Sequence, residues 1–281
     1  MAAPSSRTRR QNIPFSVIVL IVFLGGLFVL VVLIALNYGH RPPLRAQDAM
    51  EIQEFDCAVK SFKDRFGEYP PDFGEQTNEQ RVATVKKFLS KAFPKCAESN
   101  YPVEFRDPAN FDPAKYNPAT ALVFWLGGMR NADGKPIGFS ADPQAPFDQN
   151  VKGRIGPFFD FDSPRLDFNV GTRYYPPSYQ GDRSQGCYIY FRAENGSYAG
   201  KAYAAAGNSG AVQDARLSTG KKIEYMNPNS FQIRSFGPDG RWGAMRRTRW
   251  GVMFPTGSDY NPENYDDMGN FSTGMFKDSI P

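Results

Sequence analysis

From Phe15 to Leu36 the chain reads FSVIVLIVFLGGLFVLVVLIAL, 22 residues without a charge. As a helix rising about 1.5 Å per residue, this run reaches roughly 33 Å, enough to cross the hydrocarbon core of a bilayer. A helix buried in a soluble core keeps a polar stripe, and this segment has none. A cleaved secretory leader has a shorter apolar region and then a small-x-small site, whereas Asn37-Tyr38-Gly39-His40 follows here. Residues 13–37 are therefore expected to form an uncleaved, single-pass transmembrane helix. Arg7, Arg9 and Arg10 place the basic tail, residues 1–12, in the cytoplasm, with Arg41 and Arg45 slightly reducing the contrast. A break at 38–43, containing Pro42 and Pro43, then leads to an extracytoplasmic domain over 44–281.

The charge distribution narrows the function classes. The whole chain has a formal charge of +4, but the tail holds the surplus. Beyond residue 36 there are 30 basic against 29 acidic side chains, so no overall basic field is available for nucleic-acid phosphates. His40 is the single histidine. That excludes a Ser-His-Asp triad, a His-activated cysteine and a multi-histidine metal site in the domain. The chain is expected not to be an enzyme.

Ile52, Phe55, Val59, Phe62 and Phe66 recur at steps of three and four and predict an amphipathic helix over 44–66. Asp48, Glu51, Glu54, Lys60, Lys63 and Asp64 are expected on its outer face, with Gly67 ending it. A second helix is predicted from Asn78 to about Phe93. A short third one is predicted after Asn117-Pro118, with Asn as N-cap and Gly127-Gly128 as terminator. From residue 138 onward, aromatic runs at Pro157–Phe161, Cys187–Phe191 and Ser230–Phe236 alternate with Gly, Pro, Asn and Asp, and read as short, mostly antiparallel strands with long loops. The fold class is α+β, with the 44–66 helix packed on a small sheet. Outside the cytoplasm cysteines oxidise. Of Cys57, Cys96 and Cys187, the first pair is the disulfide candidate, and burial as free thiols is the alternative.

Three segments carry a resemblance: Phe62-Lys-Asp-Arg-Phe-Gly-Glu-Tyr-Pro-Pro71, Phe231-Gln-Ile-Arg-Ser-Phe-Gly-Pro-Asp-Gly240 and Asp266-Asp267-Met268-Gly269-Asn270-Phe271. In this order, after an N-terminal apolar helix, they resemble the type II secretion pseudopilins, in particular the major (G-type) subunit. The resemblance implies a pilin-like fold and a structural subunit of a pseudopilus or pilus-like assembly. It further implies the inner membrane of a bacterium, with the domain in the periplasm and like subunits or other secretion and pilus proteins as partners. It also implies a calcium ion in the C-terminal loop, held by Asp239 and Asp267, with Asp266 as a substitute for the latter, together with backbone carbonyls. Pro238-Asp239-Gly240 is equally an ordinary turn sequence.

The chain departs from the pseudopilin pattern in lacking the glycine that precedes the apolar segment and the glutamate within it. The alternative expectation is an anchored binding module that keeps the fold without polymerising. Its recognition surface would be the insertion 241–265, where Arg246, Arg247, Arg249 and Trp250 stand beside Arg241 and Trp242. Arg and Trp suit an acidic protein or anionic glycan, and a solvated loop with tucked tryptophans is the plainer reading. Asp160 and Asp162, at alternate positions of a predicted strand, offer a carboxylate pair with no substrate indicated. The tyrosines of Tyr174–Tyr179 offer either sugar-stacking rings or a stiffened loop.

Overall fold

A computed structural model of the chain describes Phe23, residues 26–27, 43–169, 171–179, 186–198, 213–214, 224–237, 239, 253–256, 260 and 264–281. Contacts divide it into two units, Met1–Pro43 and Leu44–Pro281. In the first unit Phe23, Gly26 and Leu27 are helical, and the rest of the apolar run lies outside the described residues. Among the described residues no helix is long and apolar enough to cross a membrane.

The second unit is α+β. Its helices are α1 (Leu44–Phe66), α2 (Asn78–Ala92) and α3 (Ala121–Gly127). The strands are short: β1 (Met129–Arg130), β2 (Pro136–Ser140), β3 (Arg154–Ile155), β4 (Leu166–Asp167), β5 (Arg173–Tyr174), β6 (Ile189–Arg192), β7 (Gln213–Asp214), β8 (Phe231–Ser235), β9 (Met253–Phe254) and β10 (Met268–Gly269). One antiparallel sheet has the order β10-β8-β6 and another β1-β2-β3, while β4-β5 is an antiparallel pair and β7-β9 a parallel one.

The apolar stripe of α1 forms as its spacing predicts. Ile52, Phe55, Val59, Phe62 and Phe66 are all buried, and the helix packs against β8, β10 and α3. Phe55 stacks on Phe159 with centroids 4.1 Å apart, and Phe62 meets Trp125 edge-on at 6.2 Å. Burying each such ring contributes about 1.5–3 kcal/mol, and well-placed ring pairs add about 0.5–1.5. Gly67 ends α1 at φ +87°, a conformation that favours glycine, and its N–H reaches Lys63 O at 2.7 Å. Helix α2 opens with a capping box in which Thr77 and Gln80 serve each other's backbone N–H groups.

The structure departs from the expected elements in three places. Asp48 and Glu51 belong to the buried face of α1. Regular helix in α3 starts at Ala121, because Asn117 instead builds a turn, its side chain accepting from Ala119 N–H at 3.0 Å. Pro157–Phe161 is not a strand: proline has no N–H to give a ladder, and the segment serves α1 through its rings, Phe158 against Phe62 and Phe66, and Phe159 and Phe161 against Phe55.

The turn that follows α1 is held by its carbonyls. Prolines at 70 and 71 remove two donors and leave extended backbone whose acceptors have no local partner. Three side chains supply what is missing: Arg192 Nη1 donates to Tyr69 O at 3.1 Å, Tyr190 Oη to Pro70 O at 2.9 Å and Trp125 Nε1 to Pro71 O at 2.8 Å. Asp72, fully buried, accepts from Arg192 N–H at 2.7 Å and from Gly74 N–H at 2.9 Å. The Tyr-Pro-Pro segment is thereby fastened to β6 and α3.

Candidate functional site

The second and third motif segments meet at one end of the central sheet. After β8 the chain turns at Gly237, with φ +68°. A Cβ there would lie 2.2 Å from the carbonyl oxygen of Asp266, so only glycine permits the approach. The exposed Asp239 donates its backbone N–H to Asp266 Oδ2 at 3.1 Å, while Asp266 Oδ1 is buried and accepts no hydrogen bond. Asp267 points inward and is fully buried; its Oδ2 accepts from Arg234 Nη2 at 2.9 Å and from Asn264 Nδ2 at 3.2 Å, and its Oδ1 accepts none. Burial pushes both carboxyls above the ordinary aspartate value; the Asp239 amide opposes this at Asp266, and Arg234 and Asn264 oppose it at Asp267.

Asn270, the asparagine of the third segment, completes the sheet. Its backbone N–H reaches Ile233 O at 3.2 Å and its Oδ1 accepts Ile233 N–H at 3.0 Å, so one residue makes both bonds of a strand partner. Its Nδ2 donates to Asp56 on α1 at 3.0 Å. Helix, central strand and C-terminal loop are thus joined through one amide.

The donors present fit a hard cation in part. Calcium takes six to eight oxygens, and two carboxylate oxygens, Asp266 Oδ1 and Asp267 Oδ1, are buried without a hydrogen bond. The other oxygen of Asp267 is committed to a guanidinium. Among the described residues no group of three or more His, Cys, Asp or Glu is gathered for a metal, so backbone carbonyls would have to supply the remaining ligands.

A second polar cluster was not expected from the sequence. Glu51 on α1 accepts from Tyr188 Oη at 2.8 Å and Tyr174 Oη at 3.2 Å and pairs with Arg165, whose Nε donates to Tyr175 O at 2.8 Å. One turn earlier, Asp48 accepts from both the N–H, at 3.0 Å, and the hydroxyl of Ser178. Burial pushes the Asp48 carboxyl up to about 6, with the hydrogen bonds from Ser178 restraining the rise and Glu51 adding to it. The spacing held the signal: 48, 55 and 62 lie seven apart, so Asp48 sits on the stripe of Phe55 and Phe62. The cluster locks the start of α1 to loop 163–179.

The remaining candidates are dispersed. Arg246, Arg247, Arg249 and Trp250 lie outside the described residues, as do Arg241 and Trp242. The Cys57–Cys96 disulfide is not formed: all three cysteines are free, with Cys57 on the outer face of α1 and Cys96 and Cys187 buried. Cys57 follows Asp56 on the solvent side of the helix, while Cys96 packs beneath the end of α2 among apolar side chains. Asp160 and Asp162 are both exposed in non-strand chain. Tyr174 and Tyr175 are buried, and Tyr179 stacks on Tyr175 at 5.4 Å, so these rings stiffen the loop. Compared with known protein families, with curated proteins and with solved structures, the chain matches none.

Proposed function

We propose that the chain is a membrane-anchored structural subunit of a type II secretion pseudopilus or a related pilus-like envelope assembly. In this reading residues 13–37 hold it in the inner membrane of a bacterium, with the tail cytoplasmic and the domain periplasmic. It works by packing, without catalysis, against like subunits or other secretion and pilus proteins. The observation that carries the reading is the junction at Asn270. The three segments that resemble pseudopilins lie far apart in sequence, and one end of a helix-on-sheet unit holds two of them together through Gly237, Asp266 and Asn270. The first segment is clamped to the same sheet through Tyr190 and Arg192. Calcium belongs to this proposal, with Asp266 and Asp267 contributing Oδ1 and the Asp239 turn its backbone; there it would stiffen the loop that closes the sheet.

A second reading, an anchored binding module for a glycan or an envelope protein, is favoured by the lack of the glycine and the glutamate at the apolar segment. In that case the insertion with Arg246, Arg247, Arg249 and Trp250 is the recognition surface. Chemical crosslinking in intact cells, resolved by size, separates the two. A ladder of dimer, trimer and higher multiples supports stacking subunits. A monomer band, or one discrete hetero-complex, removes the first reading in favour of the second.

A further inference from the structure

A groove of about 370 Å³ carries positive charge in excess of its carboxylates. One wall is α2, through Thr84, Lys87 and Lys91; the other is the turn after β6, with Asn195, and Asn229 before β8; Tyr69, Phe88 and Lys63 lie between. The volume is at the low end of the range for small-ligand clefts, about 300–1,000 Å³. Four cations, Lys63, Lys87, Lys91 and Arg192, line it against two carboxylates, Glu68 and Glu194. The carboxylates are already matched, Glu68 to Lys91 and Glu194 to Arg192. Neither Lys63 nor Lys87 has an ion-pair partner among the described residues, and Lys63 Nζ sits 4.4 Å above the Tyr69 ring. Two ammonium groups therefore face an open polar groove with amides and a hydroxyl beside them.

We propose that this groove binds an acidic sugar, with Lys63 and Lys87 on its carboxylate or sulfate groups and Asn195, Asn229 and Thr84 on its hydroxyls. Amide and hydroxyl groups that both donate and accept suit the hydroxyls of a polyol. An extended acidic peptide is the competing anion, but a peptide adds to a sheet through unpaired edge amides. The outer edge of β6 has no such amides to give, because Tyr190 N–H is bound to Pro118 O at 2.9 Å and Arg192 N–H to Asp72 at 2.7 Å. None of the groove's lining residues named above belongs to the insertion 241–265, and the proposal does not depend on whether subunits stack.

The test is titration calorimetry of the full chain in detergent with tetragalacturonate, with maltotetraose as the neutral sugar and hexaglutamate as the acidic peptide. Tetragalacturonate is expected to bind, maltotetraose not, and the Lys63→Glu/Lys87→Glu double variant is expected to bind at least tenfold more weakly. A Lys135→Glu/Lys152→Glu variant, altered outside the groove, is expected to bind like the wild type, and circular dichroism melts report whether each variant is folded. No binding of tetragalacturonate, equal loss in both double variants, or hexaglutamate binding as tightly as the sugar each overturns the proposal. Should Lys63→Glu/Lys87→Glu fail to fold, Lys63→Gln/Lys87→Gln is the replacement, with the same tenfold criterion.

Discussion

The hydroxyl of Tyr190, in the middle of β6, donates to the carbonyl oxygen of Pro70 at 2.9 Å. This single bond ties the turn that ends α1 to the sheet on which α1 lies, and it does so across a chain separation too long for local geometry to provide.

Because Pro70 is buried, removing its donor leaves an acceptor without water. Tyr190→Phe keeps the ring and is expected to cost about 1–3 kcal/mol in urea denaturation. A change below about 0.5 kcal/mol is the result that contradicts the clamp.

Glu51 serves three donors at once. Glu51→Ala strands the Arg165 guanidinium and two tyrosine hydroxyls in a mostly buried setting and is expected to cost about 3 kcal/mol. Glu51→Gln, which keeps one acceptor oxygen, should fall between the two, and the order of the three midpoints is the measurement.

Asp48 gives a defined pH dependence. Its folded carboxyl titrates at about 6, above the ordinary 3.8, so the folded state holds the proton more tightly than the unfolded state. Stability from this group is therefore highest below about pH 4, falls as the pH rises through about 6, and is level above that, by up to about 3 kcal/mol. Asp48→Asn can keep both bonds to Ser178 without ionising. The difference between wild-type and variant stability, followed from pH 4 to 7, should favour the variant increasingly as pH rises; a flat difference contradicts the assignment.

Gly237→Ala is expected to destabilise by about 1–3 kcal/mol, since the new Cβ meets the Asp266 carbonyl at a left-handed backbone position. The same change should weaken any calcium response, because it pushes apart the two halves of the loop.

Millimolar calcium is expected to raise the melting temperature of the wild-type chain and to leave that of Asp266→Asn unchanged. A wild-type melt indifferent to calcium removes the cation from the proposed function while leaving the Asn270 junction in place.

Elements whose causes are local are legible in the residues alone. The stripe from Ile52 to Phe66 could bury one face only as a helix, Gly67 and Tyr69-Pro70-Pro71 could only end it, and β6 and β8 form where aromatic and β-branched residues sit between turn residues. Tertiary structure decided what those elements do for one another. Pro157–Phe161 has the composition of a strand, yet its rings are spent on α1 and its backbone makes one bond, Phe158 N–H to Leu126 O at 2.7 Å, in place of a ladder. Asp48 and Glu51 look like solvent-facing charges until Ser178, Arg165, Tyr174 and Tyr188 arrive from more than a hundred residues away to satisfy them. Cys57 and Cys96 are both on or near helices, but the rotation of α1 about its buried stripe turns one to solvent while the other is packed inside. Asp267 reads as a turn carboxylate and becomes half of a buried ion pair with Arg234. In each case propensity is set by a residue and its near neighbours, whereas the partner of a buried polar group is set by which distant backbone the packing of the aromatic core brings alongside it.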